Sequence, residues 1–120
     1  MADHCAELVA RCFAARTSAH FAHLSTRSFS EHKALETFYE EIVDRTDAFA
    51  EAHMGVDGPI KAFPSVMPSQ KPPLEMLTEL HDWISQNRTK CADGHTELAN
   101  LIDEILSLID STYYKLKFLK

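Results

Sequence analysis

The distribution of proline and glycine constrains this chain more than any other sequence feature. All five prolines lie between residues 59 and 73, and two of the three glycines, Gly55 and Gly58, lie just before them. Proline removes a backbone donor and glycine adds backbone freedom, so this segment disfavours a helix. We therefore expect a connector at about 55–73, with long uninterrupted helices permitted on both sides of it.

Apolar periodicity predicts two helices on each side of the connector. Apolar residues recur at intervals of three and four, which is typical of amphipathic helices. Ser28 and Glu31 have the spacing of a capping box, with Ser30 as an alternative cap. We expect helices at about 3–24, 29–53, 73–88 and 95–118. The core stripe of the second helix is expected to comprise Leu35, Phe38, Ile42 and Phe49, widened by Tyr39 and Val43.

The order of short, long and short connections predicts the fold class. We expect an all-α single domain over residues 1–120, a four-helix bundle with one crossover connection between helices 2 and 3. That connectivity is the one found in ferritin-like folds. A chain of 120 residues is long enough to bury one core without metal or disulfide support.

Composition argues against several classes of function. The net charge of −6 is unfavourable for nonspecific binding to nucleic acid, which needs clustered Lys and Arg. No run of about 18 apolar residues is present to span a membrane, and the N-terminus is too polar for a signal peptide. Cys5, Cys12 and Cys91 lack metal-type spacing and are expected to be free thiols. These features predict a cytoplasmic protein, with no catalytic role for its cysteines.

Four polar side chains form the candidate site: His20, His32, Asp47 and Glu51. With the first turn centred near Thr26, His20 and His32 are equidistant from it and should lie at the same height on an antiparallel helix pair. Asp47 and Glu51 are four residues apart and therefore share one helix face. Paired imidazoles and paired carboxylates are ligand types that iron accepts, and zinc or manganese would be tolerated.

Within one chain, the two histidines lie far from the two acids. His32 and Asp47 are 15 residues apart, which corresponds to about 22 Å along a helix. No single ion spans that gap, whereas a two-fold axis can bring the histidines of one copy to the acids of another. The spacing therefore predicts a homodimer, or a higher oligomer built from dimers.

Simpler interpretations of the same residues stay open at this point. His20 and His32 could make hydrogen bonds around the turn, and Asp47 and Glu51 could line a solvated helix face. His23 lies three residues from His20 and could join a site, although we expect it to face the loop. His53 is expected near a helix C-terminus, where a protonated imidazole would favour the dipole.

The stretch from Ala19-His20-Phe21 through Phe29, His32, Phe38-Tyr39 and Asp47 to Ala50-Glu51 resembles the Dps-like mini-ferritins of the ferritin-like superfamily. It is also similar to a small uncharacterised ferritin-like family of tailed bacteriophages. The mini-ferritin resemblance implies an iron-oxidising site across a dimer interface. His20 and His32 would come from one subunit, and Asp47 and Glu51 from the other. Mini-ferritins usually have tryptophan where this chain has Phe21. DNA binding is not expected, because no basic N-terminal arm is present.

Two functions from different classes are consistent with the sequence. The first is an iron-binding ferritin-like protein with the intersubunit carboxylate–histidine site, with ferroxidase-type oxidation of Fe(II) if the site is real. The second is a metal-free helical-bundle oligomer that binds a small ligand or a protein partner, such as a phage-encoded interaction or sequestering protein.

Overall fold

Four helices form the part of the chain that the computed structural model describes, residues 3–120. Met1 and Ala2 of the expected domain lie outside the described residues. The helices are α1 (His4–Ser25), α2 (Phe29–Asp57), α3 (Pro73–Ala92) and α4 (Thr96–Phe118). The expected all-α four-helix bundle is confirmed, and no strand is present within 3–120.

Side-chain caps start the first two helices. Asp3 accepts hydrogen bonds from the backbone N–H groups of Cys5 and Ala6 at 2.9 and 3.0 Å. Ser28 accepts one from the backbone N–H of Glu31 at 3.2 Å, so Ser28 rather than Ser30 caps α2. Such caps satisfy N–H groups that have no partner inside the helix. They fix where α1 and α2 begin and, as a result, the short turn between them.

Two helices extend beyond their expected ends. Helix α2 continues through Gly55 and ends at Gly58, where φ is 88°. A glycine inside a helix costs about 1 kcal/mol, which packing can offset, whereas a positive φ favours glycine directly. Helix α3 continues past Arg88 to Ala92 and ends at Asp93 (φ 48°) and Gly94 (φ 83°). The left-handed residues, rather than the first glycine, therefore set the helix ends.

The connector 58–72 is a crossover that runs the length of the bundle. It begins beside the start of α1, where Pro59 and Lys61 lie near Asp3 and Glu7. Further along, the backbone N–H of Ser69 donates to Ser18 Oγ at 2.6 Å. Helix α3 therefore starts at the same end as the α1–α2 turn and runs antiparallel to α1. The expected single crossover between helices 2 and 3 is confirmed.

Each helix packs against two antiparallel neighbours. Helix α1 contacts α2 and α3, and α4 contacts the same two, while the pairs α1–α4 and α2–α3 lie diagonally across the core in the described chain. The expected core stripe of Leu35, Phe38, Ile42 and Phe49 is fully buried, and Tyr39 and Val43 flank it. No helix within residues 3–120 is long and apolar enough to cross a membrane.

Candidate metal centre

The α1–α2 turn brings three histidines together at one end of the bundle. The rings of His23 and His32 stack with centroids 3.6 Å apart and planes at 18°. The His20 ring lies 5.9 Å from that of His23, at 63°, and stacks on Tyr39 at 4.2 Å. We call His20, His23, His32 and the neighbouring Glu36 the histidine cluster.

Reciprocal hydrogen bonds set the tautomers of the stacked pair. His23 Nδ1 lies 2.7 Å from the carbonyl oxygen of His32, and His32 Nδ1 lies 2.8 Å from the carbonyl oxygen of His23. A carbonyl oxygen only accepts, so both Nδ1 atoms must carry the proton. In the neutral rings the lone pair is then on Nε2. In metalloproteins, a hydrogen bond from one ring nitrogen to a backbone carbonyl likewise leaves the other nitrogen free to bind the metal.

Glu36 adds a carboxylate to the cluster. It lies one turn after His32 on α2, and its Oε1 is 4.0 Å from His23 Nε2. His23, His32 and Glu36 each offer one ligand atom, and these atoms all lie within 4.8 Å of one another. Lys33 Nζ lies 3.7 Å from the other Glu36 oxygen. A metal ion bound by Glu36 would have to displace this ammonium group or bind beside it.

Two carboxylates, those of Glu36 and Glu40, act on Tyr39 beside the histidine cluster. Tyr39 lies against His20 and His23, and the pKa of its hydroxyl is raised by desolvation and then by the negative charges of Glu36 and Glu40. Arg16 acts in the opposite direction. The phenol stays protonated at neutral pH, and the carboxylates that raise its pKa would also stabilise a bound positive ion.

The imidazole partner of His32 differs from the expected one. His23 was expected to face the loop, but it is only 6% exposed and stacks on His32, while His20 stacks on Tyr39. Helix α1 ends at Ser25 and α2 begins at Phe29, so the turn is centred near residue 27 rather than Thr26. Because the turn is centred later in the sequence, His23, and not His20, lies at the same height as His32 along the α1–α2 pair. The hydrogen bonds anticipated as the simpler interpretation of His32 are therefore present.

Asp47 and Glu51 lie on an exposed face of α2, away from the cluster of their own chain. Helix α2 is continuous between His32 and Asp47, so their separation of about 22 Å along the axis stands. The structure thus keeps the predicted carboxylates accessible, and within one chain it leaves them apart from the histidines.

Ring geometry tests which histidines one ion can share. A nitrogen ligand about 2.1 Å from an ion places its imidazole centroid about 3.2 Å from that ion. Rings 3.6 Å apart would subtend only about 70° at the ion, below the roughly 90–110° of octahedral and tetrahedral sites. Rings 5.9 Å apart subtend about 130°. That angle is above the same range, and His20 is not a member of the group whose ligand atoms lie within 4.8 Å of one another. Joint ligation by His23 and His32 therefore requires their rings to separate.

Comparison with known proteins assigns this four-helix bundle to a class without establishing its activity. The chain belongs to the family of unknown function DUF5856, whose sequence model matches residues 23–116. That segment includes His23, His32 and Glu36. The chain is also similar to an uncharacterised 14.6 kDa protein in the mobD-ri intergenic region of Enterobacteria phage T4. They are 26% identical over 113 residues, which cover 94% of this chain and 84% of the phage protein.

The resemblance to bacteriophage proteins that the sequence indicated is therefore supported by a relative from a phage. The description of the matching family names neither a ferritin-like fold nor iron. No solved structure shows a significant match to this chain. The functional argument consequently depends on the side chains themselves.

Proposed function

We propose that the histidine cluster binds a divalent transition-metal ion, with Fe(II) as the preferred one. The observation that carries this proposal is the pair of Nδ1–H bonds to backbone carbonyls in His23 and His32. These bonds leave Nε2 of each ring as the atom that can bind an ion. Glu36 supplies an oxygen ligand nearby, and mixed imidazole and carboxylate ligands suit non-haem iron, with zinc or manganese as competitors.

We propose further that a second copy of the chain completes the site. Asp47 and Glu51 are exposed on α2 and too far from their own cluster. A two-fold axis that crosses α2 between the histidine cluster and the two acids would bring Asp47 and Glu51 of one chain to the histidine cluster of the other. Two equivalent sites would then form. Halfway between His32 and the two acids lies residue 40 or 41, and the axis would pass there.

Exposed apolar side chains beside the cluster support burial against another molecule. Phe21, Leu24 and Phe29 are 58%, 69% and 75% exposed, and we call them the apolar rim. Phe29 lies against His32, with ring centroids 6.2 Å apart. A contiguous apolar patch on a protein surface marks an interaction site, and we propose that these three side chains around the α1–α2 turn act as such a patch. A second copy covering the rim would also exclude water from the ion.

In this proposal the chain's residues bind and orient the ion. Fe(II) would lose one electron to dioxygen or peroxide and leave as Fe(III), so iron is the substrate rather than a permanent cofactor. The carbonyl acceptors fix the imidazole tautomers, and Glu36, Asp47 and Glu51 supply negative charge. Ligation by both His23 and His32 must first open their stack. We place this activity in the cytoplasm of a host cell, where the three free thiols would stay reduced.

Metal titration of tag-free protein tests the proposal. Under anaerobic conditions the wild-type protein should bind Fe(II) at the cluster, and His32→Gln and Asp47→Asn should each weaken binding by at least about tenfold. His81→Gln is the matched control, because His81 also faces a carboxylate, with Nε2 3.2 Å from Asp110 Oδ1 on the α3–α4 side. Equal affinity in wild type and His32→Gln would contradict the proposal, as would loss of binding in His81→Gln.

The apolar rim also favours a second candidate function, a metal-free bundle that binds a protein partner. In that case Phe21, Leu24 and Phe29 would be covered by a different protein instead of a second copy. Light scattering at about 100 µM protein distinguishes the two, because only the first requires a dimer. A monomer that binds no metal would favour the second candidate.

A further inference from the structure

A second group of ligand-type side chains lies at the opposite end of the bundle. Asp3 caps the start of α1, Cys5 lies in its first turn, and His53 lies near the end of α2. One ligand atom from each of these three residues lies within 4.8 Å of the other two. Cys5 and His53 are each only 6% exposed. Helices that run antiparallel bring these distant parts of the sequence to one place.

The imidazole of His53 is incompletely satisfied. Its Nδ1 is buried and makes no hydrogen bond, and only 8% of the side chain is exposed to solvent. Asp57 Oδ2 lies 3.3 Å away, but not in hydrogen-bonding geometry. Burying a polar atom without a hydrogen-bond partner is unfavourable, so such atoms are uncommon unless something else binds them. One ring nitrogen of this histidine also lies within 4.8 Å of ligand atoms of Cys5 and Asp3, which together are ligand types that a metal ion accepts.

We propose that Asp3, Cys5 and His53 form a second divalent-metal site, of the thiolate–imidazole–carboxylate type that suits zinc. Ligand atoms around a tetrahedral zinc ion lie about 3.3–3.8 Å apart. The ligand atoms of Asp3, Cys5 and His53 are at most 4.8 Å apart. Side-chain shifts of about 1.5 Å or less would bring them to the spacing around a zinc ion. The Asp3 carboxylate caps α1 through Oδ1, and its second oxygen is not used by the cap.

We assign the fourth ligand position to Cys91, a neighbour of Cys5 that lies outside the group of three. Cys91 lies in the last turn of α3, and the Cys5 thiol donates to its carbonyl oxygen at 3.4 Å. On binding, each ligating thiol releases its proton to solvent and bonds the ion as a thiolate. Affinity should therefore rise with pH.

This site does not depend on the proposed function of the histidine cluster. The two clusters lie at opposite ends of the bundle and share no residue. Their chemistry also differs, because only the second contains sulfur. A sulfur-specific signal consequently reports on Asp3, Cys5 and His53 whatever the histidine cluster does.

Binding of Co(II) to the tag-free, reduced chain tests the second site. We expect one equivalent of Co(II) to produce thiolate-to-cobalt charge-transfer absorption that Zn(II) abolishes by displacement. Cys5→Ser should remove the absorption and weaken binding at least about 100-fold, since losing even an outer-shell partner can cost 10–100-fold. Cys12→Ser is the matched control, because Cys12 is a fully buried thiol on the same helix and should leave the signal intact.

Asp3→Asn provides a variant that avoids misfolding, because asparagine caps a helix as well as aspartate does. It should weaken Co(II) binding while keeping the wild-type helix content in circular dichroism. His32→Gln should leave the charge-transfer signal unchanged. Absence of the signal in the reduced wild-type chain would overturn this proposal, and so would its persistence in Cys5→Ser.

Discussion

The stacked pair of His23 and His32 should stabilise the junction of α1 and α2, and a double-mutant cycle measures by how much. The carbonyl of His23 belongs to the last turn of α1, where carbonyls have no partner within the helix. His32 Nδ1–H provides that partner at 2.8 Å. Replacing either histidine by alanine removes one hydrogen bond from its ring and the stacking that both rings share.

The expected cost follows from those two losses. A hydrogen bond contributes about 0.5–1.5 kcal/mol net, and an aromatic-type stack about 0.5–1.5 kcal/mol. Each of His23→Ala and His32→Ala should therefore lower the free energy of unfolding by about 1–3 kcal/mol. For a chain of this size that lowers Tm by about 4 °C for each kcal/mol. The stack is lost only once, so the two costs should not add.

Urea denaturation of the two single variants and the double variant gives the coupling energy. We expect about 0.5–1.5 kcal/mol, with the double variant less destabilised than the sum. His23→Ala combined with His81→Ala is the control pair, because His81 lies on the α3–α4 side and should be additive with His23. Coupling below about 0.3 kcal/mol between His23 and His32 would refute the argument that their rings act as a pair.

Three further predictions concern other parts of the bundle. The hydrogen bond from Arg88 lowers the pKa of Asp103, so this exposed pair should stabilise the fold above about pH 4 and lose its contribution as pH falls further. Asp103→Asn should therefore cost at most about 1 kcal/mol at pH 7 in urea denaturation, and progressively less as the pH falls below about 4. Burial raises the pKa of the Cys12 thiol to about 12, and maleimide at pH 7 should therefore label it only after unfolding, as mass spectrometry will report. Phe49→Ala should cost about 3–5 kcal/mol in urea denaturation because the ring is fully buried, and a loss below about 1 kcal/mol would contradict its place in the core.

The fold was predictable because its signals are local. Proline confined to one segment marks the crossover, and apolar periodicity marks the helices whatever their final contacts. The helix ends were less predictable, since Gly55 is tolerated inside α2 and the positive φ falls at Gly58 instead. Sequence alone does not show which of two nearby glycines takes the left-handed conformation.

The candidate sites were predictable only in part. Placing the turn one residue too early paired His32 with His20, because small shifts in register change which side chains are level. A turn centred between the Ser25 and Phe29 ends would have identified His23. The second cluster combines the first turn of α1 with the ends of α2 and α3, so no spacing in the sequence could have indicated it. Its one local signal is the spacing of His53 and Asp57, which are four residues apart at the end of α2.

A subunit-complementation experiment tests most directly whether two chains share the site at the histidine cluster. One variant carries His23→Gln and His32→Gln, the other Asp47→Asn and Glu51→Gln, and neither should bind Fe(II) at the cluster alone. After the two are unfolded and refolded together, half of the dimers should be hybrids with one intact site each, which gives about one quarter of the wild-type iron content. Iron content no higher than that of the separate variants would contradict a site shared between chains.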